Sequence, residues 1–356
     1  MEKRRIYSLD VIRLYLCIVI AFYHAELHLE PGAEVAVLFF FVIFGFFLAK
    51  KFYDAPEEKP SAWRYTLDHA KTIYPHLIFS VTVYYLYRLA RYILVDGMML
   101  QSKDWAFRAI KDLYLLIPEY SMLLSAYHKY MSPNFALWQL SAMFICGYFL
   151  YALLHRDEKL ARRILLPGAI LMGASMNDSF GLWENVGPIY MPLVRALVPM
   201  CVGYFLYYFT TTPAFEEMKR HRAAFDLATV LSLMAIVAFK LVENIAYLPI
   251  GIVILACWDP GSLINRLLDH RCFRRCGRLS LAVFLDHMMI ARIVINPVTE
   301  AFSARGITLQ RWQTGGIYFV LLMGYSLVTS YLVDRGVAAW KRKRQPGIKQ
   351  KAEAAR

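Results

Sequence analysis

Apolar stretches long enough to cross a lipid bilayer recur along almost the whole chain, and this recurrence restricts it to a bundle of membrane-spanning helices. Inside hydrocarbon every backbone N–H and C=O must be paired within the protein, and an α-helix does so within one segment. A span needs roughly 20 mainly apolar residues to cross a core about 30 Å thick. Ten such segments can be drawn, at 9–29, 34–53, 73–94, 134–154, 162–176, 190–209, 224–240, 244–258, 279–297 and 314–333. Two of them, 162–176 and 244–258, are short for that thickness. The expectation is an all-α integral membrane protein of about ten transmembrane helices. Only 19% of the residues are charged and 58% are hydrophobic, whereas soluble domains carry roughly 25% charged residues. The 356 residues form one membrane domain, 1–340, followed by a basic tail, 341–356, expected to be disordered.

The net charge of +13 raises nucleic acid as a partner, but its placement argues for topology instead. With the N-terminus inside, the basic clusters fall into inner loops: Lys50/Lys51/Lys59/Arg64/Lys71, Arg156/Lys159/Arg162/Arg163, Lys219/Arg220/Arg222 and Arg266/Arg271/Arg274/Arg275/Arg278. The outer connections 177–189 and 241–244 contain no Lys or Arg. Positive-inside bias selects an arrangement with both termini cytoplasmic, and the excess charge suits anionic membrane lipids as partners. The basic start Lys3-Arg4-Arg5 has no small-residue cleavage site after the apolar run, so the first helix is expected to be retained. Residues 105–127 read as an interface-lying or re-entrant helix interrupted near Pro118, because an eleventh span would reverse every later loop. The six cysteines support no disulfide framework. Cys272 and Cys276 lie beside His270 with no second ligand pair, so no metal is expected.

Ionisable residues inside the spans are the candidates for chemistry, since their burial in lipid is costly. Arg13 and His24 share the first helix, about 16 Å apart along its axis. His24 is the side chain best matched to take a hydroxyl proton near neutral pH; its alternative is a hydrogen bond across helices. Glu26 follows in a supporting position, and His28 lies one turn on. Asp10 sits three residues before Arg13 and can meet it on one face. Arg13 is more buried than a snorkelling anchor needs to be, which suits a phosphate-bearing ligand. In the ninth segment His287 lies about 14 Å deep, next to Asp286, with which it need not pair. Arg292 and Lys240 are candidates for an anionic acceptor. The loop 177–184 mixes carboxylates with aromatics and is a candidate acceptor entrance.

These residues resemble the acyltransferase-3 family of integral membrane O-acyltransferases, which modify surface polysaccharides, lipopolysaccharide and some small molecules. The opening L-D-x-x-R, ten residues, His pattern is matched by Leu9-Asp10-x-x-Arg13 and His24. The second-span Phe-Phe-x-x-Ser-Gly-Phe resembles Phe40-Phe41-Val42-Ile43-Phe44-Gly45-Phe46, with Phe44 in place of serine. The late G-x-x-S…Y-x-x-H resembles Gly277-x-x-Ser280…Phe284-x-x-His287, with Phe284 in place of tyrosine. Thr72 stands where the family's Arg-Ile-x-Pro has arginine, with Lys71 just before it, and Met143 stands at the glutamate of Trp-Ser-Leu-x-x-Glu. The resemblance implies transfer of an acetyl or other short acyl group from cytoplasmic acetyl-CoA, or another acyl-CoA, to a hydroxyl of a cell-surface glycan or lipid-linked precursor. It also implies a bacterial inner membrane. The catalytic candidates are His24, Arg13, Asp10, Glu26 and His287, with His24 as general base or transient acyl carrier. Arg13, Lys71, Arg275 and Arg278 are the candidates for holding the acyl-CoA. The competing readings are a transporter or flippase for a glycolipid or small anion, and a catalytically degenerate scaffold.

Overall fold

The structure, a computed structural model, describes residues 5–27, 32–54, 59–99, 104–123 and 133–344. Its elements in chain order are α1 (Tyr7–His24), α2 (Ala33–Tyr53), α3 (Ala62–Arg91), α4 (Trp105–Tyr120), α5 (Trp138–Arg156), α6 (Glu158–Leu160) and α7 (Leu166–Ser179). They continue as α8 (Met191–Phe209), α9 (Pro213–Arg220), α10 (Arg222–Ala238), α11 (Glu243–Trp258), α12 (Leu263–Leu268), α13 (Cys276–Ile293), α14 (Thr299–Ser303) and α15 (Arg311–Arg344). Two-residue strands, β1 (Asn185–Val186) and β2 (Ile189–Tyr190), pair antiparallel between α7 and α8. The fold is otherwise all-α.

Ten spans is an overcount. Among the described residues six helices are long and apolar enough to cross a membrane: Tyr7–His24, Ala33–Tyr53, Ala62–Met99, Phe135–Arg156, Met191–Phe209 and Arg311–Arg342. A seventh is reached only if α9 and α10, bent by 93°, count as one span. The other three expected spans fail for physical reasons. The 16 residues of α11 rise about 24 Å, less than a 30 Å core. The stretch around 162–176 begins with Glu158, Lys159, Arg162 and Arg163 and ends in Asn177 and Asp178. Finally, α13 carries Arg278, Asp286 and Arg292 within 18 residues. Its middle is buried against α1, α3 and α15, where Ser80 and Thr329 donate to the Asp286 carboxylate. Residues 1–4 and 345–356, which the ten-span layout put on the cytoplasmic side, lie outside the described residues.

The tightest helix pair is α2 with α8. A Cβ at Gly45 would stand 2.1 Å from the Met200 carbonyl oxygen, and one at Gly203 would stand 2.0 Å from that of Val42. Only glycine on both helices lets the backbones approach this closely. At the end of this pair Tyr53 donates to Glu158 at 2.7 Å and lies 2.6 Å from the Tyr204 hydroxyl, while Arg162 donates to Glu158 at 2.7 Å. This latch ties α2 and α8 to the connection after α5. The helix α4 ends two residues after Pro118. There Met122 takes φ 53°, and the Leu123 amide donates back to the Pro118 carbonyl at 3.0 Å.

Candidate active site

Two helices from opposite ends of the sequence build the centre of the site. His24, at the last turn of α1, stacks on His287 of α13, with ring centroids 5.2 Å apart and 28° between the planes. Phe135 closes one side, its ring edge-on to His24 at 5.2 Å. The Tyr318 hydroxyl of α15 donates to the backbone carbonyls of Ala21, at 3.1 Å, and His287, at 3.2 Å. That single donor fixes α1, α13 and α15 beside the paired rings.

The hydrogen bonding of His287 sets its tautomer. Nδ1 lies 2.6 Å from the Phe284 carbonyl oxygen, which can only accept. In the neutral ring Nδ1 therefore carries the hydrogen, and Nε2 presents its lone pair. That Nε2 is buried and has no hydrogen-bond partner. The neighbouring Asp286 faces the other way. It accepts from Ser80 of α3 at 2.5 Å and from Thr329 of α15 at 2.8 Å, binding both helices to α13. Asn134 reaches the Leu285 carbonyl at 3.3 Å and holds the segment before α5 against α13.

The other sequence candidates sit apart from the ring pair. Glu26 is exposed at the left-handed position beyond α1, φ 56°. The Glu26 amide donates to the Tyr23 carbonyl and that of Leu27 to Phe22, a helix stop normally built on glycine. His28 lies outside the described residues. Asp10 is buried and does meet Arg13, but at 3.8 Å, while Arg5 donates to it at 2.7 Å. Gly277 makes room for this carboxylate, since a Cβ there would stand 2.3 Å from the Asp10 Oδ1. Arg13 is thus left weakly engaged, half-buried, with its Nε unpartnered. Arg292 and Lys240 are exposed.

A cavity of 1670 Å³ opens between α1, α2, α3, α5, α13 and α15. Arg13, Lys71 and Arg278 line it, as do His69 and His76 of α3, whereas the exposed Arg275 does not. Arg278 is held by Asp334 at 2.6 Å and Lys71 by Asp68 at 2.9 Å. The cavity runs past Cys17, two turns below His24, to Phe284, whose ring packs 5.8 Å from that of His287. His76, buried with an unpartnered Nε2, was missed by sequence reasoning although it shows the signal that singled out His24, a histidine within an apolar run. Phe135, Asn134 and Tyr318 had no such signal. Among the described residues no group of three or more His, Cys, Asp or Glu is placed to hold a metal ion.

A family model described as an acyltransferase domain matches residues 6–335. No curated protein and no solved structure matches the chain.

Proposed function

This chain belongs to the acyltransferase-3 family, and from that premise we propose that it moves an acetyl or other short acyl group from acyl-CoA to a hydroxyl of a cell-surface glycan or lipid-linked precursor, in a bacterial inner membrane. The observation that carries this reading is the stacked His24–His287 pair beside the 1670 Å³ cavity, whose lining residue Phe284 packs its ring 5.8 Å from that of His287. The cavity offers cations where the phosphates of the donor would sit, and the pair offers bases where a hydroxyl would be activated.

In the proposed reaction Arg13, Lys71 and Arg278 hold the phosphates by charge-assisted hydrogen bonds. His24 takes the proton of the acceptor hydroxyl as that oxygen attacks the thioester carbonyl. The C–S bond then breaks, and the imidazolium returns the proton to the departing CoA thiolate. His287 sets the orientation of the His24 ring from below. The Asn177–Glu184 loop is the acceptor entrance. Its Trp183 packs edge-on against Trp138 at 5.6 Å, three residues from the Phe135 that flanks His24.

The reading is tested by following label from acetyl-CoA in sealed membranes that contain native envelope glycans. Wild-type protein is expected to label a glycan or lipid-linked fraction, and His24→Ala to label none while remaining folded in the membrane. Equal labelling by the two proteins would sink the role of His24. No labelling and no CoA binding by folded wild type would sink the transferase reading itself.

A further inference from the structure

Several polar side chains along the cavity are already committed. Lys71 and Arg278 are paired with Asp68 and Asp334. Thr72 and Thr82 donate to the backbone carbonyls of His69 and Ile78, and Ser280 donates to that of Gly277. The unpartnered Nε2 of His76 is itself buried. Gln139 of α5 differs from all of these. It is 5% exposed and lines the cavity, and among the described residues no hydrogen bond engages its side-chain amide. That amide is not among the polar atoms closed off without a partner, so the little surface it keeps faces the cavity. A buried carboxamide left unmatched is costly, and the position therefore points to a partner that arrives with a ligand.

Its place along the helix says which part of a ligand it meets. Phe135, Gln139 and Met143 follow at intervals of four residues, a spacing that keeps side chains on one face. Phe135 lies edge-on to His24 at 5.2 Å, and Met143 lines the cavity. Gln139 thus stands one turn, about 5.4 Å, from the ring that flanks the proposed base.

Resting on the acyl-CoA reading above, we infer that Gln139 is a binding residue for the pantetheine arm, engaging the amide nearest the sulfur. In a CoA thioester that amide follows the sulfur after two methylenes, a reach comparable to one helical turn from the thioester carbonyl. The Gln139 carboxamide donates to the carbonyl of that amide or accepts from its N–H. Either bond holds the arm so that the thioester carbonyl stays beside the histidine pair. The thioester carbonyl itself is the other group within reach, and a thioether, which lacks it, separates the two.

The test is the affinity of the full-length protein in nanodiscs for S-ethyl-CoA and for 3′-phospho-ADP, which keeps the nucleotide and lacks the arm. Neither probe can transfer an acyl group, so the unknown acceptor does not enter. Gln139→Met, close in shape and without the amide, should weaken S-ethyl-CoA by at least about tenfold and leave the nucleotide unchanged. Gln139→Leu should show the same pattern, because the lost group is the same in both. The readout is a ratio of affinities, so a smaller folded fraction does not imitate it. Unchanged S-ethyl-CoA binding in both variants would overturn the role of Gln139 and leave the CoA site standing. Equal weakening of thioether and nucleotide, or opposite results in the two variants, would make the effect one of packing and overturn it as well. A wild-type protein that binds neither probe would remove the transferase reading and this inference with it.

Discussion

The rings of His24 and His287 lie 5.2 Å apart and nearly parallel, although 262 residues separate them in the chain. Stacking fixes the azimuth of each ring, and the Phe284 carbonyl and the Tyr318 hydroxyl hold the lower one in place. The pair is a single device, and its members are expected to fail together.

Replacing either histidine by alanine should therefore lower acyl transfer by at least about 100-fold, the range of a lost general base or its support. The double variant should be no worse than the poorer single one, since groups acting as a unit are not additive. Transfer rates for the three variants decide this, and multiplicative losses would show two independent roles.

Tyr318→Phe removes one hydroxyl that bridges α1 and α13. It should cost about 1 kcal/mol of stability and lower kcat with little change in KM, because the rings lose their alignment and the cavity does not change. Thermal unfolding and a kinetic comparison at saturating donor would check both parts.

Two glycine substitutions should rank in a set order. Gly45→Ala drives a Cβ into the Met200 backbone at 2.1 Å, which can yield only by separating α2 from α8. Gly277→Ala meets the Asp10 side chain, which can rotate away. We expect losses of about 3 kcal/mol or more for the first and about 1 kcal/mol for the second, read as shifts in unfolding midpoint.

Glu26 occupies a left-handed position that glycine adopts without a steric cost. Glu26→Gly should stabilise the protein by roughly 1 kcal/mol. Transfer should persist if the exposed carboxylate only ends α1, and a large loss of rate would return Glu26 to the catalytic set.

The latch around Glu158 should respond to acid. Burial pushes its carboxyl up, but hydrogen bonds from Tyr53 and Arg162 outweigh this and hold it below its ordinary value of 4.5. Its stabilisation is complete above 4.5 and is lost as pH falls through the lower value of the folded state. The difference in unfolding temperature between wild type and Glu158→Gln should accordingly be constant near neutrality and shrink in acid.

The expected spans at 9–29, 34–53, 73–94, 134–154, 190–209 and 314–333 all fall on long apolar helices, because membrane-length apolar runs have few other stable forms. The excess came from the stretch 162–176, which is short and flanked by charge, and from α11 and α13, where apolar character was read as exposure to lipid. In α13 the apolar faces meet other helices, so it can carry Asp286 and His287 at its middle. The loop charges of the sequence also placed Arg275 with Arg278. Arg275 ends the short turn before α13 and is exposed, whereas Arg278 lies in the first turn of α13 and reaches the cavity.

Depth along a helix follows from counting residues at 1.5 Å each, so the positions of Arg13, His24 and His287 within their helices were legible in the chain itself. Which way each helix is rotated, and what it meets, was not. Those choices arise from long-range packing, as when Gly277 admits Asp10 or Tyr318 reaches Ala21 across 297 positions. Packing of α1 against α13 brings two histidines face to face, sends Asp286 to Ser80 and Thr329, and leaves Glu26 at the surface. Local periodicity carries no record of such partners, because their energy depends on surfaces that exist only once the helices have assembled.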